Sequence, residues 1–543
     1  MSSEFAFDCG CKFKILNNIV SEEFPRIEFS GKLDELDLSC QRTWDMISTG
    51  NTKGCFQLES RLGQSMAKRL KPGNIEELSA LISILRPGCL EATRDGKSVS
   101  NHYIDKKNNE ESIDYFHPIL EQSLKTTYGE MIYQEQSMEI AKTIAGFDLK
   151  EADVLRKAIG KKKPELMAQM KLKFLDGCKK QDIVDVQTAE QIFDWIEKAQ
   201  RYQFNKSHSV SYAMNAYLSA YAKAHFPKVF FASYLRFARD KVDPQREIKE
   251  LVKNASEMDI DVCVPDLRKL NKLFILKDKK IYFGLTDIKG VGESVYNKIL
   301  DITKDKNIYE MTWADILTGI LLKINSTASK AMVSCGALDF LKKNRTELLF
   351  QLEICSGLTN KEQDALRELT ENNPKESLEN NISAIKTKAR ITKKRQDVID
   401  SIVRSIQEPP YSLVDKIEWL SDSENALLGV SITCFKIETY DISMTNCDCK
   451  EFKTTRIRNN IIIAGEISYI GITKTKKGAS PGLEMAFLTI EDRNGSLDSV
   501  VFFPECFSKY RNYLFEGNVL IFMGSRGKNQ DSLIVEKCFI PSS

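Results

Sequence analysis

The sequence predicts a multidomain, mainly α-helical protein that closes with a small all-β barrel, and three observations predict it. At 543 residues the chain is long enough for several domains of ordinary size. Between about residues 51 and 240, apolar residues recur every three or four positions, as in "QEQSMEIAKTIAGF" and "SYAMNAYLSAYAKAHF". That is the period of amphipathic helices. From about residue 459 the period shortens to two, in "NNIIIAGEISYIGITKT", "LEMAFLTIED", "LDSVVFF", "GNVLIFMGSRG" and "DSLIVEKCFI". Alternating β-branched and aromatic residues between glycine-containing turns read as strands.

Residues 1–50 mix short apolar runs with turns and are incomplete as a domain; "SEFAFDCGCKFKIL" reads as strand, turn and helix. Residues 51–240 form a helical block in which Gly146 and Pro227 punctuate helix ends. A second mostly helical block spans 241–357, with one strand-like passage at "KKIYFGLTDI". Residues 358–458 begin polar and helix-prone and pass through "EPPYS", a linker. Residues 459–543 predict about five strands with a helix-like insertion at "PECFSKYRNYL". Those cues are of an OB-fold, a scaffold often used for single-stranded nucleic acid. There is no internal repeat of fixed period.

Composition sets outer limits. Hydrophobic residues make up 42% and charged residues 28%, the balance of a globular protein. With a net charge of only +2, affinity for nucleic acid has to come from local clusters. The 14 cysteines have no even framework. Cys9/Cys11 and Cys447/Cys449 each lack the second hook of a zinc site, so they read as free or buried thiols of a reducing cytoplasm. No stretch is apolar enough to span a bilayer, and "MSSEFAFDCG" lacks the order of a signal peptide, so no membrane role is expected.

Four constellations carry chemistry. "FNKSHSVSYA" crowds Lys206, Ser207 and His208 ahead of a long helix. Either Ser207 or Ser209 caps that helix, or its N-terminus holds an anion such as phosphate. "LRKAIGKKKPELMAQMKLKF" concentrates Arg156, Lys157, Lys161, Lys162 and Lys163 before the break at Pro164. Asp153 and Glu165 are the only near acids, so pairing within the run is expected to be poor; the run is a solvated face or a phosphate-facing one. Gln134, Glu135 and Gln136 open a helix together, and at least one of them points at solvent or ligand. "LTDIKGVGESVYNKIL" sets Lys289, Gly290, Val291 and Gly292 between helix-like stretches, as in a helix-hairpin-helix that grips DNA backbone. In the barrel, Phe487, Phe502, Phe503 and Tyr510 are candidate stacking platforms, or simply its core.

In order, "GCFQLES" (54–60), "LRPG" (85–88), "YGEMIYQEQSMEIA", "AGFDLKEADVLRKAIGKKKPE", "FNKSHSVSYA", "KAHFP" and "GLTDIKGVGE" resemble the C-terminal half of the bacterial replicative DNA polymerase III alpha subunit, family C. The resemblance implies that 1–50 is the end of the palm and that 51–240 are fingers closing over the incoming deoxynucleotide. It further implies a duplex-binding helix-hairpin-helix region at 241–357, a linker and clamp-associated region at 358–458, and an OB-fold at 459–543. Arg86, Arg156, Lys157, Lys161, Lys162, Lys163, Lys206, Ser207, His208 and Tyr212 would line the nucleotide and template–primer site, and Lys289 to Gly292 would touch DNA. Phosphoryl transfer needs positioning and charge neutralisation, tasks for arginine and lysine.

Departures from the family pattern shape the expected function. Such a polymerase uses two Mg²⁺ ions bridged by palm carboxylates, two of them in an Asp-x-Asp pair upstream of the matched region. No pair with the right surroundings occurs here, and Asp8, in "AFDCGCKFKIL", is the candidate third carboxylate and metal ligand. Cys89 stands where proline usually follows "RPG", and only "QDVID" (396–400) begins like the family's peptide for a sliding clamp. The expectation is the C-terminal piece of a split replicative polymerase, beginning at its own Met1 shortly before Asp8. It would act in the cytoplasm, of a bacterium or a phage-infected host, on template–primer DNA and deoxynucleoside triphosphates. A second chain would hold the rest of the palm. The alternative is a non-catalytic DNA-binding accessory protein.

Overall fold

The computed structural model describes residues 36–161, 164–199, 201–373, 376–389, 391–454, 459–475, 481–527 and 532–542. The chain divides into two compact units, 1–230 and 231–543, the division falling inside the helix Pro227–Phe237. Among the described residues no helix is long and apolar enough to cross a membrane.

The first unit is helical, as the three-to-four periodicity requires. Its longer helices are α1 (Gln41–Ser48), α2 (Arg61–Leu70), α3 (Ile75–Ile84), α4 (Val99–Lys107), α5 (Gln134–Ala145), α6 (Leu149–Lys161), α7 (Pro164–Gln181), α8 (Val186–Ala199) and α9 (Lys206–His225). A two-stranded hairpin, β1 (Thr93–Arg94) and β2 (Lys97–Ser98), precedes α4. Asp95 and Gly96 both turn at positive φ, +52° and +78°, the geometry that lets a two-residue loop join twisted strands. Two apolar cores form. Trp44, Ile47, Leu58, Leu81, Tyr103 and Tyr217 lock α9 against α1 and α3. Phe147, Phe174 and Phe193 centre the α5–α8 group, their rings meeting edge-on or tilted at 6.2 and 5.2 Å.

In the second unit, α10 (Pro244–Glu257) leads to a three-stranded sheet with order β3 (Val262–Cys263), β5 (Lys280–Tyr282), β4 (Ile275–Lys277). A single strand-like passage in the sequence thus belongs to a small sheet whose other strands are too short to show a period. Helices α11 (Glu293–Thr303), α12 (Ser326–Ser334), α13 (Arg345–Cys355), α14 (Asn360–Asn372), α15 (Leu378–Lys388), α16 (Lys393–Gln407) and α17 (Ile417–Leu428) follow. Arg345, buried, pairs with Asp339 at 2.6 Å and with fully buried Glu424 at 2.8 Å, and Glu424 also accepts the Ile432 and Thr433 amides. "QDVID" lies inside α16 with Ile399 buried, helical rather than extended.

The C-terminal barrel is closed, with order β6 (Ile461–Lys474), β7 (Glu484–Asp492), β8 (Gly495–Phe502), β10 (Leu533–Phe539), β9 (Val519–Arg526) and back to β6. Closure depends on the length of β6: Ile461–Glu466 pairs with β9 and Glu466–Lys474 with β7. Strand β10 joins β8 in parallel, and α18 (Pro504–Tyr510) fills the crossover between β8 and β9. One parallel contact in an otherwise antiparallel five-stranded barrel is the topology of an OB-fold. Ile463, Ile467, Leu488, Val500, Phe502 and Phe522 fill it, each such side chain adding about 1.5–3 kcal/mol by leaving water.

Candidate nucleotide and nucleic-acid interface

The N-terminus of α9 is assembled from remote segments. Its cap is Asn205, whose side chain accepts from the His208 amide at 2.9 Å. The expected serine cap is therefore corrected. Ser207 donates to the Asn205 side chain, while Ser209 is buried and bonded to Ser79 and Ser83 at 3.0 and 2.7 Å. Tyr133 joins this hydroxyl cluster through Ser79, and burial pushes its phenol up to about 12, so it stays a neutral donor. The cluster fixes α9 on α3 by hydroxyls that the apolar pattern does not reveal.

Glu135 decides what the helix end can hold. Its carboxylate accepts from the Asn205 side chain at 2.8 Å and from the Lys206 amide at 2.9 Å. An internal anion thus occupies part of the helix N-terminus, where a negative charge is most favoured. A phosphate arriving here meets side chains rather than a bare backbone seat. Of the three polar residues that open α5, Gln136 turns inward to cap the Ile132 and Tyr133 amides, and Glu135 turns to α9.

Four of the sequence-derived residues come together on this face. The Arg86 guanidinium lies 4.0 Å over the Phe204 ring, Phe204 meets His208 at 5.5 Å, and His208 meets Tyr212 at 4.2 Å. Tyr212 in turn touches Phe56 at 5.2 Å. Lys206 stands beside the row, its ammonium 5.6 Å from the Tyr133 ring and 3.1 Å from half-exposed Glu76. An exposed pair of that kind is weak and easily exchanged for a phosphate. Arg86, Ser207 and His208 are exposed. Phe56 and Phe204 were missed in the sequence; both sit inside quoted blocks, but nothing local marks them as neighbours. Phe56 is placed by Ser219, which accepts its amide at 3.0 Å, and by fully buried Lys223, which donates to the Asn51 carbonyl and side chain and to the Lys53 carbonyl at 2.9–3.0 Å.

The α6 cations stand apart from this row, with no hydrogen bond or ion pair between the two groups among the described residues. Arg156 and Lys157 both pair with Asp153, at 2.8 and 2.7 Å, and hold that carboxyl below its usual range. The expected poor pairing is thereby corrected, because spacings of three and four bring both cations onto one acid. Lys161 ends α6, and Lys162 and Lys163 lie outside the described residues.

The hairpin presents Lys289, Gly290 and Gly292 to solvent, while Val291 is buried as its anchor. Gly290 turns at φ +95°, and a Cβ on Gly292 would meet nothing within 4 Å, leaving open approach to the start of α11. Ahead of it runs a single 3₁₀ turn, Leu285–Asp287. Asp287 caps the Gly284 amide at 2.9 Å and pairs with Arg239 at 2.6 Å. Burial outweighs these partners and raises its carboxyl to about 6.

On the barrel, Phe502 is fully buried and is corrected from stacking platform to core. Tyr510 packs partly against that core, whereas Phe487 and Phe503 are exposed. Tyr469, half exposed, was missed: its ring lies over Gly471, the residue directly opposite Phe487. Tyr469 and Phe487 therefore share one outer face.

Asp8 lies outside the described residues. Among the described residues no group of three or more His, Cys, Asp or Glu side chains is placed to hold a metal ion. Asp259 and Asp261 have an Asp-x-Asp spacing, but each is taken by a lysine, Lys450 at 2.8 Å and Lys280 at 3.1 Å.

A family profile described as "Bacterial DNA polymerase III alpha subunit finger domain" matches residues 15–182, and one described as "Helix-hairpin-helix motif" matches 259–348. The chain is 30% identical over 514 residues to the DNA polymerase III subunit alpha of Aquifex aeolicus, covering 93% of this chain and 39% of that protein. It is 30% identical over 502 residues to that of Borreliella burgdorferi, 91% of this chain and 41% of that one. Against that of Staphylococcus epidermidis it is 28% identical over 530 residues, 97% and 45%. The chain thus spans about two fifths of the length of the curated relatives it matches. Two module matches and similarity along nine-tenths of the chain mark it as a relative of the DNA polymerase III alpha subunits.

Proposed function

We propose that this relative of the DNA polymerase III alpha subunits binds template–primer DNA and the incoming deoxynucleoside triphosphate, and acts in DNA synthesis with a second chain that supplies the Asp-x-Asp carboxylates. The observation that carries the reading is the convergence of Arg86, Lys206, His208 and Tyr212, from segments 120 residues apart, on one exposed face. Arg86 is oriented by its stacking on Phe204 and offers its fork to a phosphate. Lys206 exchanges Glu76 for a triphosphate oxygen, and His208 adds a donor held by the two flanking rings. Positioned charge of this kind stabilises a transferring phosphoryl group without a protein nucleophile. Arg156 and Lys157 add positive charge along α6, the Lys161–Lys163 run adds more in the sequence that follows, and Lys289 to Gly292 hold the duplex backbone. Mg²⁺, when bound, would supply charge neutralisation at the reacting phosphate, and its ligands would come from the second chain, with Asp8 as the candidate from this one.

Primer extension tests the reading. The purified chain is expected to leave a primer unextended, and to extend it once a second chain carrying the palm is added. In the reconstituted enzyme Lys206→Ala is expected to raise the nucleotide KM or lower kcat by about tenfold, the worth of one charge-assisted contact. Extension by the chain alone would refute the need for a partner. DNA binding without extension by any combination would favour the second reading, a non-catalytic DNA-binding protein.

A further inference from the structure

A cleft of about 1020 Å³ opens in the first unit between α8, the β1–β2 turn and the segment 111–116, and it shares no residue with the Arg86–His208 row. Helix α8 gives it Gln191, Trp195 and Lys198, a stripe of spacing four and three, which Arg201 continues. Phe116 stands at its edge, 51% exposed, its ring centroid 6.4 Å from that of Trp195 and tilted by 58°. Phe116 is also held at φ +59°, a region that a bulky side chain rarely enters, and its amide is tied to the Asp114 carboxylate at 3.1 Å. The ring is thus half exposed and packed on one side against Trp195, on a strained backbone of the kind that concentrates at ligand sites.

The charges of the cleft are unevenly balanced. Buried Glu130 is matched by Arg94 at 2.6 Å and Lys106 at 2.9 Å, and Glu111 by Lys97 and His102 at 2.8 Å each. Lys198 and Arg201, both exposed, make no ion pair among the described residues. Glu91, Asp95 and Asp114, also in the lining, belong to other segments, Asp95 lying 4.0 Å from Arg94, so an anion is drawn to the α8 side. Two rings beside two cations that make no ion pair suit a nucleobase with its phosphodiester. A free triphosphate, with about four negative charges, would meet too few cations and the three acids as well.

The geometry points to this cleft as a seat for an unpaired nucleotide of single-stranded DNA, the base against Phe116 and Trp195 and the phosphate toward Lys198 and Arg201. The inference rests on the DNA-binding reading above and gives that reading a second, single-strand contact.

Photocross-linking of the full chain to an oligodeoxythymidine carrying 5-iodouracil, with the adducts mapped by mass spectrometry, tests it. Adducts are expected at Phe116 or Trp195. Phe116→Gly removes the ring at a position where glycine accepts the backbone, so thermal stability should hold or rise while these adducts fall about tenfold. Lys198→Ala with Arg201→Ala should do the same with the rings in place. DNA binding with adducts confined to residues 459–543 would overturn the inference and leave the DNA-binding reading standing. Equal labelling of Trp195 by 5-iodo-dUTP alone would overturn the strand assignment, and no binding of any DNA would sink both readings.

Discussion

Lys223 shows how a single buried charge positions the candidate site. It is fully buried, yet its three protons have three oxygen acceptors on residues 51–53, the segment that delivers Phe56 to Tyr212. Replacing it by methionine keeps the volume but leaves two carbonyls and an amide oxygen without that donor. Stranded buried acceptors cost about 1–3 kcal/mol each when water cannot reach them. Lys223→Met is therefore expected to lower stability by about 3 kcal/mol, read as a fall in the midpoint of denaturant unfolding. A change below about 0.5 kcal/mol, the range of ordinary surface substitutions, would show that the lysine is incidental. In the sequence this residue looks like one more polar position on a helix, because its acceptors lie about 170 residues away.

At the scale of elements, α10 is held to the barrel by charge. Lys249 and Lys253 reach Glu491 on β7 at 3.1 and 2.9 Å. Burial alone would push the Glu491 carboxyl up, but the two ammonium groups outweigh it and bring it down to about 2. A carboxyl whose folded value is depressed contributes stability above its unfolded value, near 4.5, and loses it as pH falls toward 2. The contribution is on the order of 3 kcal/mol. Acid should thus loosen the barrel region between about pH 4.5 and 2, followed by urea unfolding at stepped pH. Glu491→Gln should be less stable at neutral pH and should lose that acid-dependent component; an unchanged acid profile would remove Glu491 as its source. Elements differ in how openly the sequence announces them. The barrel strands run seven to fourteen residues, long enough to display a period of two, and the helices of the first unit show theirs. Strands β3, β4 and β5 have two or three residues each and carry no period. Serines crowd the spot where α9 begins, but Asn205 directly before the helix is the residue that accepts the His208 amide.

For the molecule as a whole, a net charge of +2 leaves no general attraction to DNA, so affinity must be built from a few local contacts. Their worth depends on what already neutralises them. Lys289 is exposed beside open backbone on the hairpin. Arg156 and Lys157 each share Asp153, so a phosphate binding there has to compete with a carboxylate that stays in place. Each fully engaged phosphate contact contributes about 0.9 to the slope of log affinity against log salt concentration. Lys289→Ala is expected to lower the slope for duplex binding by about one unit. Arg156→Ala and Lys157→Ala should each lower it by clearly less. Asp153→Asn should raise affinity, because it removes the competing acid while keeping the helix. Anisotropy titrations at four or more salt concentrations measure all four slopes. Equal losses at Lys289, Arg156 and Lys157, with no gain from Asp153→Asn, would mean that DNA breaks the Asp153 pairs on binding, and that α6 faces phosphate as fully as the hairpin does.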